Sequence, residues 1–364
     1  MLRDIVETGG VLLAPSCEDG WFGGLWLIGR RPRRVLEART VPEVARVLDA
    51  VFRGDGISQA ALAVLPYDGP PAALVFDLLE PVELPVDARP LRHDAPLIAG
   101  AATDSGEEEF CGAVRRLQET ILAGDVYVAN LTARVTGTLA CDPASAFATL
   151  LARAAAPMSA FISVPNGPLL ASVSPERFVR LRDAGDATTL EVWPIKGTRP
   201  RGRDGSADEA LAAGLADDPK ERAEHAMIVD LERNDVGRVA IPGSVVVRPR
   251  QAVVPTPYCW QMVSGVRGLL APDAPLEAVL EALFPCGSVT GAPKLAAMRI
   301  IAGLEASPRG AYCGSVVAAR RGEIDSSVLI RTLEVGRDGS AAWGTGCGIT
   351  IDSDAAEAVS YTHL

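Results

Sequence analysis

Residues 161–197, FISVPNGPLLASVSPERFVRLRDAGDATTLEVWPIKG, decide the reading of the fold. Short apolar runs are punctuated by Pro, Gly, Asn and Asp, so the stretch reads as strands joined by turns, one of them around 183–186. No helix separates these strands. On the N-terminal side, Phe110, Val114, Leu117 and Ile121 recur at helical spacing from Glu107, with Gly124 as the stop. The strand VYVANLTARVTGTLA and the helix PASAFATLLARAAA follow. On the C-terminal side a long helix starts at Asp218, a capping residue, with Pro219 at the first helical position. Further helices are expected at 276–284 and about 293–304, and AYCGSVVAARRGEI, SSVLIRTLEV and AAWGTGCGITI read as closing strands. Strand clusters and helices mix without regular βαβ alternation, which predicts an α+β fold rather than a doubly wound sheet. Residues 1–100 read as short strands with Gly/Pro turns and one helix at 42–52, and Pro-rich 80–100 reads as a connection.

Composition narrows the function. The chain has 364 residues, 48% hydrophobic and 22% charged, enough apolar material for a large core. No apolar run reaches the ~18 residues of a membrane-spanning helix, and the start MLRDIVETGG lacks a basic-then-apolar leader pattern. A net charge of −11 argues against a nucleic-acid or anionic-membrane surface, so an anionic substrate would need local help. Seven scattered cysteines form no CxxC pair and only three histidines occur, so the expectation is a cytoplasmic protein without a disulfide framework or a zinc site. Only Lys196, Lys220 and Lys294 break an otherwise all-Arg basic set. Arg does not deprotonate to become a nucleophile, so a retained Lys can mark a place where an amine is needed, or be a chance survivor.

Five segments could carry chemistry. In DPKERAEHAMIVDLERND, Glu221 and Glu224 share one helix face, continued by Ile228 and Leu231. Two such carboxylates suit a hard cation such as Mg²⁺, or simply complement the helix dipole. In WPIKGTRPRG, Lys196 ends an apolar strand, where desolvation favours a nucleophilic amine; a snorkelling surface lysine is the alternative. FPCGSVTGAPK offers Gly287, Gly291 and a helix start at Thr290/Pro293, an anion-binding arrangement or a packed loop, and it is no P-loop because GK[ST] is missing. GTGCGITIDSD places three glycines in five residues, for close approach to a carboxylate or for a bulge. Arg331 in VLIRTLEV reads as a strand arginine among apolar neighbours, facing either water or an anion.

Taken in this order, PIKGTRPRG, DPKERAEHAMIVDLERNDVGRV, FPCGSVTGAPK, RGAYCGSV, SSVLIRT and DSD resemble the chorismate-utilising enzyme family. That family includes anthranilate synthase component I, aminodeoxychorismate synthase component I and the isochorismate and salicylate synthases. The resemblance covers about 107–354. It implies two packed antiparallel sheets with outer helices, with 1–100 built into the same body as the catalytic region 101–358, and 359–364 as a tail that looks non-native. It also implies that Glu221 and Glu224 hold Mg²⁺ against one carboxylate of chorismate, with Glu357 as a further ligand about one residue out of register. Arg331, Tyr312 and the backbone at Gly346 and Gly348 would take the other carboxylate, Thr290 would lie near the ring, and Glu176 would be the general acid.

Lys196 selects among the members. Anthranilate synthases resemble PIAGTR here, whereas aminodeoxychorismate synthases resemble PIKGTR, with the lysine as nucleophile. The water-using relatives carry a lysine at the place of Val128. The expectation is therefore an aminodeoxychorismate synthase component I, fed with ammonia by a glutamine amidotransferase partner. The alternatives are anthranilate synthase component I and a crippled chorismate-binding homologue. Gln261 stands where many relatives carry His.

Overall fold

The strand Ala60–Leu65 reads AALAVL, apolar at every position, because both of its faces are covered. Ala60, Leu62 and Val64 join Val11, Leu13, Ala160 and Ile162 in a core between two sheets. Ala61, Ala63 and Leu65 turn to the opposite face and pack with Leu48 and Phe52 of the helix Val41–Arg53 and Leu280 of the helix Leu276–Leu283. The period-two alternation of side chains thus feeds two cores from one strand.

The computed structural model describes all residues except 16, 18, 55–59, 83–88, 93, 94, 155, 272, 363 and 364. Among them the strands form a ten-stranded, a nine-stranded and a small three-stranded sheet, antiparallel throughout in the strand pairs described here. In the largest sheet Val128–Leu139 pairs Ser340–Ile349, and the order continues through Thr332–Val335, Leu169–Ser174, Met158–Ser163 and Gly10–Leu13. In the second, Arg177–Asp183, Glu323–Val328, Ser315–Arg320 and Ala60–Leu65 lie side by side. Helices cover the outer faces: Leu2–Thr8 and Pro143–Ala154 on one part of the larger sheet, and Glu107–Leu122 with Lys294–Leu304 on the other. This is the two-sheet α+β arrangement expected from the sequence.

Strands from 1–100 pair into both sheets, Gly10–Leu13 with Met158–Ser163 and Ala60–Leu65 with Ser315–Arg320. The buried Asp325 carboxylate adds a polar tie, accepting from the Phe22 N–H at 3.0 Å and from Arg177 at 2.8 Å. The long helix Pro219–Gly237 starts as read, with the Asp218 carboxylate accepting from the Lys220 and Glu221 N–H groups at 2.9 and 3.1 Å.

Several features depart from the sequence reading. SSVLIRTLEV is not one strand: Glu323–Val328 belongs to one sheet and Thr332–Val335 to the other, and the chain crosses between them at 329–331. Arg331 sits in that crossing with φ 50°, in the left-handed region, and not within a strand. The supposed connection 80–100 contributes Glu80–Pro81 and the start of a strand, Ile98–Thr103. The helices Leu2–Thr8 and Gly205–Asp217 went unread; the second buries only Leu215, so it carries no apolar stripe. A last helix, Ala355–Thr362, follows DSD. No helix among the described residues is long and apolar enough to cross a membrane.

Leu62 is fully buried between the sheets. Leu62→Ala is expected to lower unfolding free energy by about 2–5 kcal/mol in urea titration, the cost of lost transfer plus a cavity. A loss under about 1 kcal/mol would contradict the inter-sheet placement.

Candidate active site

A cavity of about 670 Å³ opens where the larger sheet loses a strand. Trp343, Ala342 and Ala341 pair on one side with Leu333–Val335 and on the other with Val135–Gly137. Beyond Trp343 the first partner is gone, because the chain at 329–331 has left for the other sheet. Among the described residues the ladder of Gly344–Gly348 runs to Asn130–Arg134 with no strand on the other side, and Gly344, Gly346 and Gly348 line the cavity. An unpaired edge supplies backbone N–H and C=O groups for a ligand.

Two of the three glycines, Gly344 and Gly346, are required for steric reasons, whereas Gly348 has room for a Cβ. A Cβ on Gly344 would lie 2.1 Å from Cγ of Tyr312, and one on Gly346 would lie 2.8 Å from the Leu131 carbonyl oxygen. On Gly348 it would stand 3.5 Å from Nζ of Lys196. The ladder register is unbroken through them, so the bulge reading of this segment is set aside in favour of close approach. Tyr312 lines the cavity, burial raises its hydroxyl pKa well above 10, and the hydroxyl has no hydrogen-bond partner among the described residues. Arg331, an exposed residue, also lines the cavity and has no ion pair among those residues. Together they leave two donors free for a carboxylate.

Across the cavity runs an acidic wall from the first turns of Pro219–Gly237. Glu221 is bound by Arg199 at 2.8 Å, and Arg199 also holds Asp218 at 2.8 Å. Glu224 is half-buried and has no hydrogen bond or ion pair among the described residues. Burial raises its pKa, Lys196 opposes that and the Glu221 carboxylate adds to it. Asp354 and Glu357 also line the cavity, Glu357 at the exposed start of Ala355–Thr362, a helix that packs on the glycine-bearing strand.

Lys196 and Glu176 form the floor. Lys196 lies in the strand Ile195–Pro200 of the small sheet, half-buried, its side chain in the cavity wall. The sequence reading expected apolar surroundings, but carboxyl groups of Glu176 and Glu224 act on it electrostatically. Glu176 is 4% exposed, and burial pushes its carboxyl from 4.5 to about 7 despite opposing contributions from Ser288, Lys196 and the Ile195 N–H. Its Oε1 has no hydrogen-bond partner among the described residues. A carboxyl poised near neutrality with a free oxygen can give a proton to, or take one from, a bound molecule.

Two expected residues are not brought in as expected. Thr290 does not line the cavity: it is fully buried and its hydroxyl donates to the Cys286 and Gly287 carbonyls at 3.0 and 3.2 Å. The helix after it starts at Lys294, and the Gly287 N–H is taken at 2.9 Å by the buried Glu232 carboxylate, so the loop's anion is an internal one. Ser288 and Val289 face the cavity instead. Glu357 lines the cavity, but no group of three or more His, Cys, Asp or Glu among the described residues is gathered to hold a metal. The sequence reading also passed over His225. It is fully buried behind the acidic wall, its ring contacts the Lys196 carbonyl, and burial lowers its pKa to about 4, leaving it neutral. Its signal was faint: one of three histidines, directly after Glu224.

Residues 78–360 match the family model described as chorismate binding enzyme. The chain is 40% identical over 301 residues, 82% of its length, to aminodeoxychorismate synthase component 1 of Klebsiella aerogenes, and the match covers 63% of that protein. It is 39% identical over 269 residues, 73% of its length, to anthranilate synthase component 1 of Haloarcula marismortui, covering 54% of that protein. The matched stretch thus spans less than two thirds of either relative. Among solved structures, anthranilate synthase component I from Streptococcus pneumoniae superposes with a TM-score of 0.77 at 22% identity, over 93% of this chain and 90% of that one.

The Glu176 carboxyl, raised to about 7, contributes stability present in full below about pH 4.5 and lost as pH rises through 7. Between about pH 4.5 and 8, unfolding free energy should fall by up to about 3 kcal/mol more for the wild type than for Glu176→Gln. Parallel pH profiles would contradict the assignment.

Proposed function

The chain belongs to the family of chorismate-binding enzymes, and from that premise we propose that it is the aminating component of an aminodeoxychorismate synthase. It would convert chorismate and ammonia to 4-amino-4-deoxychorismate, the precursor of 4-aminobenzoate for folate. The observation that carries this reading is the Lys196 side chain in the cavity wall, acted on electrostatically by the Glu176 carboxyl. A water-using or directly aminating enzyme has no need of a second nucleophile there.

The unpaired Arg331 guanidinium, the Tyr312 hydroxyl and the open backbone edge at Gly346–Gly348 take one substrate carboxylate. The other faces the acidic wall, which calls for a cation. The donor set fits Mg²⁺: Glu224 is a half-buried carboxyl without a partner, Glu221 stands one turn away, and a hard ion of this kind needs only one or two protein carboxylates. Glu221 and Glu224 would hold it, with Arg199 yielding Glu221. When bound, Mg²⁺ would neutralise the substrate carboxylate and polarise the leaving hydroxyl.

The Lys196 ammonium first passes a proton to solvent water, and the neutral amine then attacks C2 of the ring. The C2–N bond forms, the double bonds shift, and the C4–O bond breaks as Glu176 protonates the departing oxygen, which leaves as water. Ammonia then bonds to C4, the double bonds shift back and the C2–N bond to Lys196 breaks. Splitting one displacement into two steps places the new amine at C4 rather than C2. The Glu176 pKa of about 7 lets one group act as acid and recover its proton at neutral pH. Ammonia would come from a glutamine amidotransferase partner. Anthranilate synthase component I is the second reading, favoured by the similarity to relatives of that name; the product separates the two.

Incubated with chorismate, MgCl₂ and ammonium, the wild type should give 4-amino-4-deoxychorismate, identified by mass and by the absence of anthranilate fluorescence. Lys196→Ala should lose at least about 10²-fold in that rate. Undiminished product from Lys196→Ala, or anthranilate from the wild type, would overturn the proposal.

A further inference from the structure

The strand that carries Lys196 is irregular at that residue. Ile195 pairs with Val263 and Thr198 with Gln261, so three steps on one strand match two on the other. The extra residue makes a bulge at Lys196–Gly197. Gly197 has φ 92°, and a Cβ there would come within 3.2 Å of the Glu221 Oε2 and 3.1 Å of Leu215. A bulge re-aims a side chain and releases a backbone group from the ladder. Here the re-aimed side chain is the amine, and the released group is the Lys196 carbonyl.

That carbonyl is capped from behind. His225 Nδ1 lies 3.2 Å from it, and His225 Nε2 lies 2.7 Å from Oγ of Ser264. Ser264 Oγ also accepts the Gln251 N–H at 2.8 Å. His225 and Ser264 are both fully buried. One assignment of protons satisfies every group: Nδ1–H donates to the carbonyl, which can only accept, and the Ser264 hydroxyl donates to Nε2 while its oxygen accepts from Gln251. His225 follows Glu224 on the same helix, so the turn that sets the acidic wall also fixes the bulge.

We propose that His225, braced by Ser264, is a positioning residue for Lys196: it holds the bulged carbonyl and so aims the amine into the cavity. It touches neither substrate nor reacting atoms. The proposal rests on the reading of Lys196 as nucleophile and adds to it a part that no chemistry at the ring requires.

The chain's three lysines make the test direct. Lys220 is exposed and serves as internal reference for amine labelling with trinitrobenzenesulfonate, read at each lysine by peptide mass spectrometry. In folded His225→Ala the Lys196-to-Lys220 labelling ratio should change by at least about threefold, and kcat with chorismate, MgCl₂ and ammonium should fall at least about tenfold with KM for chorismate little altered. His225→Asn, whose amide can still donate to the carbonyl, should recover part of both. Ser264→Ala should move both readouts in the same direction by less, and it decides the matter if His225→Ala does not fold. Wild-type labelling and kcat in folded His225→Ala, or in Ser264→Ala where His225→Ala does not fold, would overturn the proposal. Lys196→Ala keeps the two claims apart: an active Lys196→Ala sinks the nucleophile reading, whereas an inactive one beside a wild-type-like His225→Ala sinks only the positioning role.

Discussion

Burial of the Glu176 carboxyl beside the Lys196 amine is the constraint on which the rest of the site depends. A carboxyl in this setting does not ionise freely, because little water reaches it and one oxygen has no donor among the described residues. Its pKa near 7 follows from that placement. A solvent-facing Glu176 would be a spectator at neutral pH, and Lys196 would have no acid beside it to answer its attack. The bulge at Lys196–Gly197 and the two-residue link that carries Glu176 between Leu169–Ser174 and Arg177–Asp183 are the backbone features at these two residues.

The cavity itself is a product of topology. The chain changes sheets at 329–331, so one strand of the larger sheet stops short and its neighbour shows a bare glycine edge. Arg331 lies in the same crossing, in a left-handed conformation, and lines the cavity. One chain crossing thus supplies both the space and two kinds of donor for an anion. The opposite wall is set by one well-capped helix start, where Asp218 fixes the turn that presents Glu221 and Glu224. An acidic protein can in this way offer cationic and N–H groups to an anion in a pocket that also carries carboxylates.

Much of this was legible in the sequence, for identifiable reasons. The helix start at Asp218–Pro219 and the Glu221/Glu224 face follow from local rules that tertiary context did not override. The turn-punctuated stretch 161–197 fixed the α+β class. The apolar neighbours of Arg331 predict a strand there, but they belong to two different sheets, which no local pattern records. Thr290 looked like a helix start, yet the 286–290 loop is pinned by the buried Glu232, which sits 55 residues away in the chain. The helix Gly205–Asp217 escaped because alanines bury too little to draw a stripe. His225 escaped because its work is done through a backbone carbonyl, and a bulge has no sequence signature beyond one glycine.

The most direct measurement is of the bond itself. The protein is incubated with chorismate and MgCl₂ without ammonia, quenched in acid, and examined by intact mass and peptide mapping. The account predicts an added mass equal to chorismate less one water, on the peptide that carries Lys196 and nowhere else, released when ammonium is supplied before the quench. An unmodified Lys196 in a preparation that turns over once ammonium is added would contradict it.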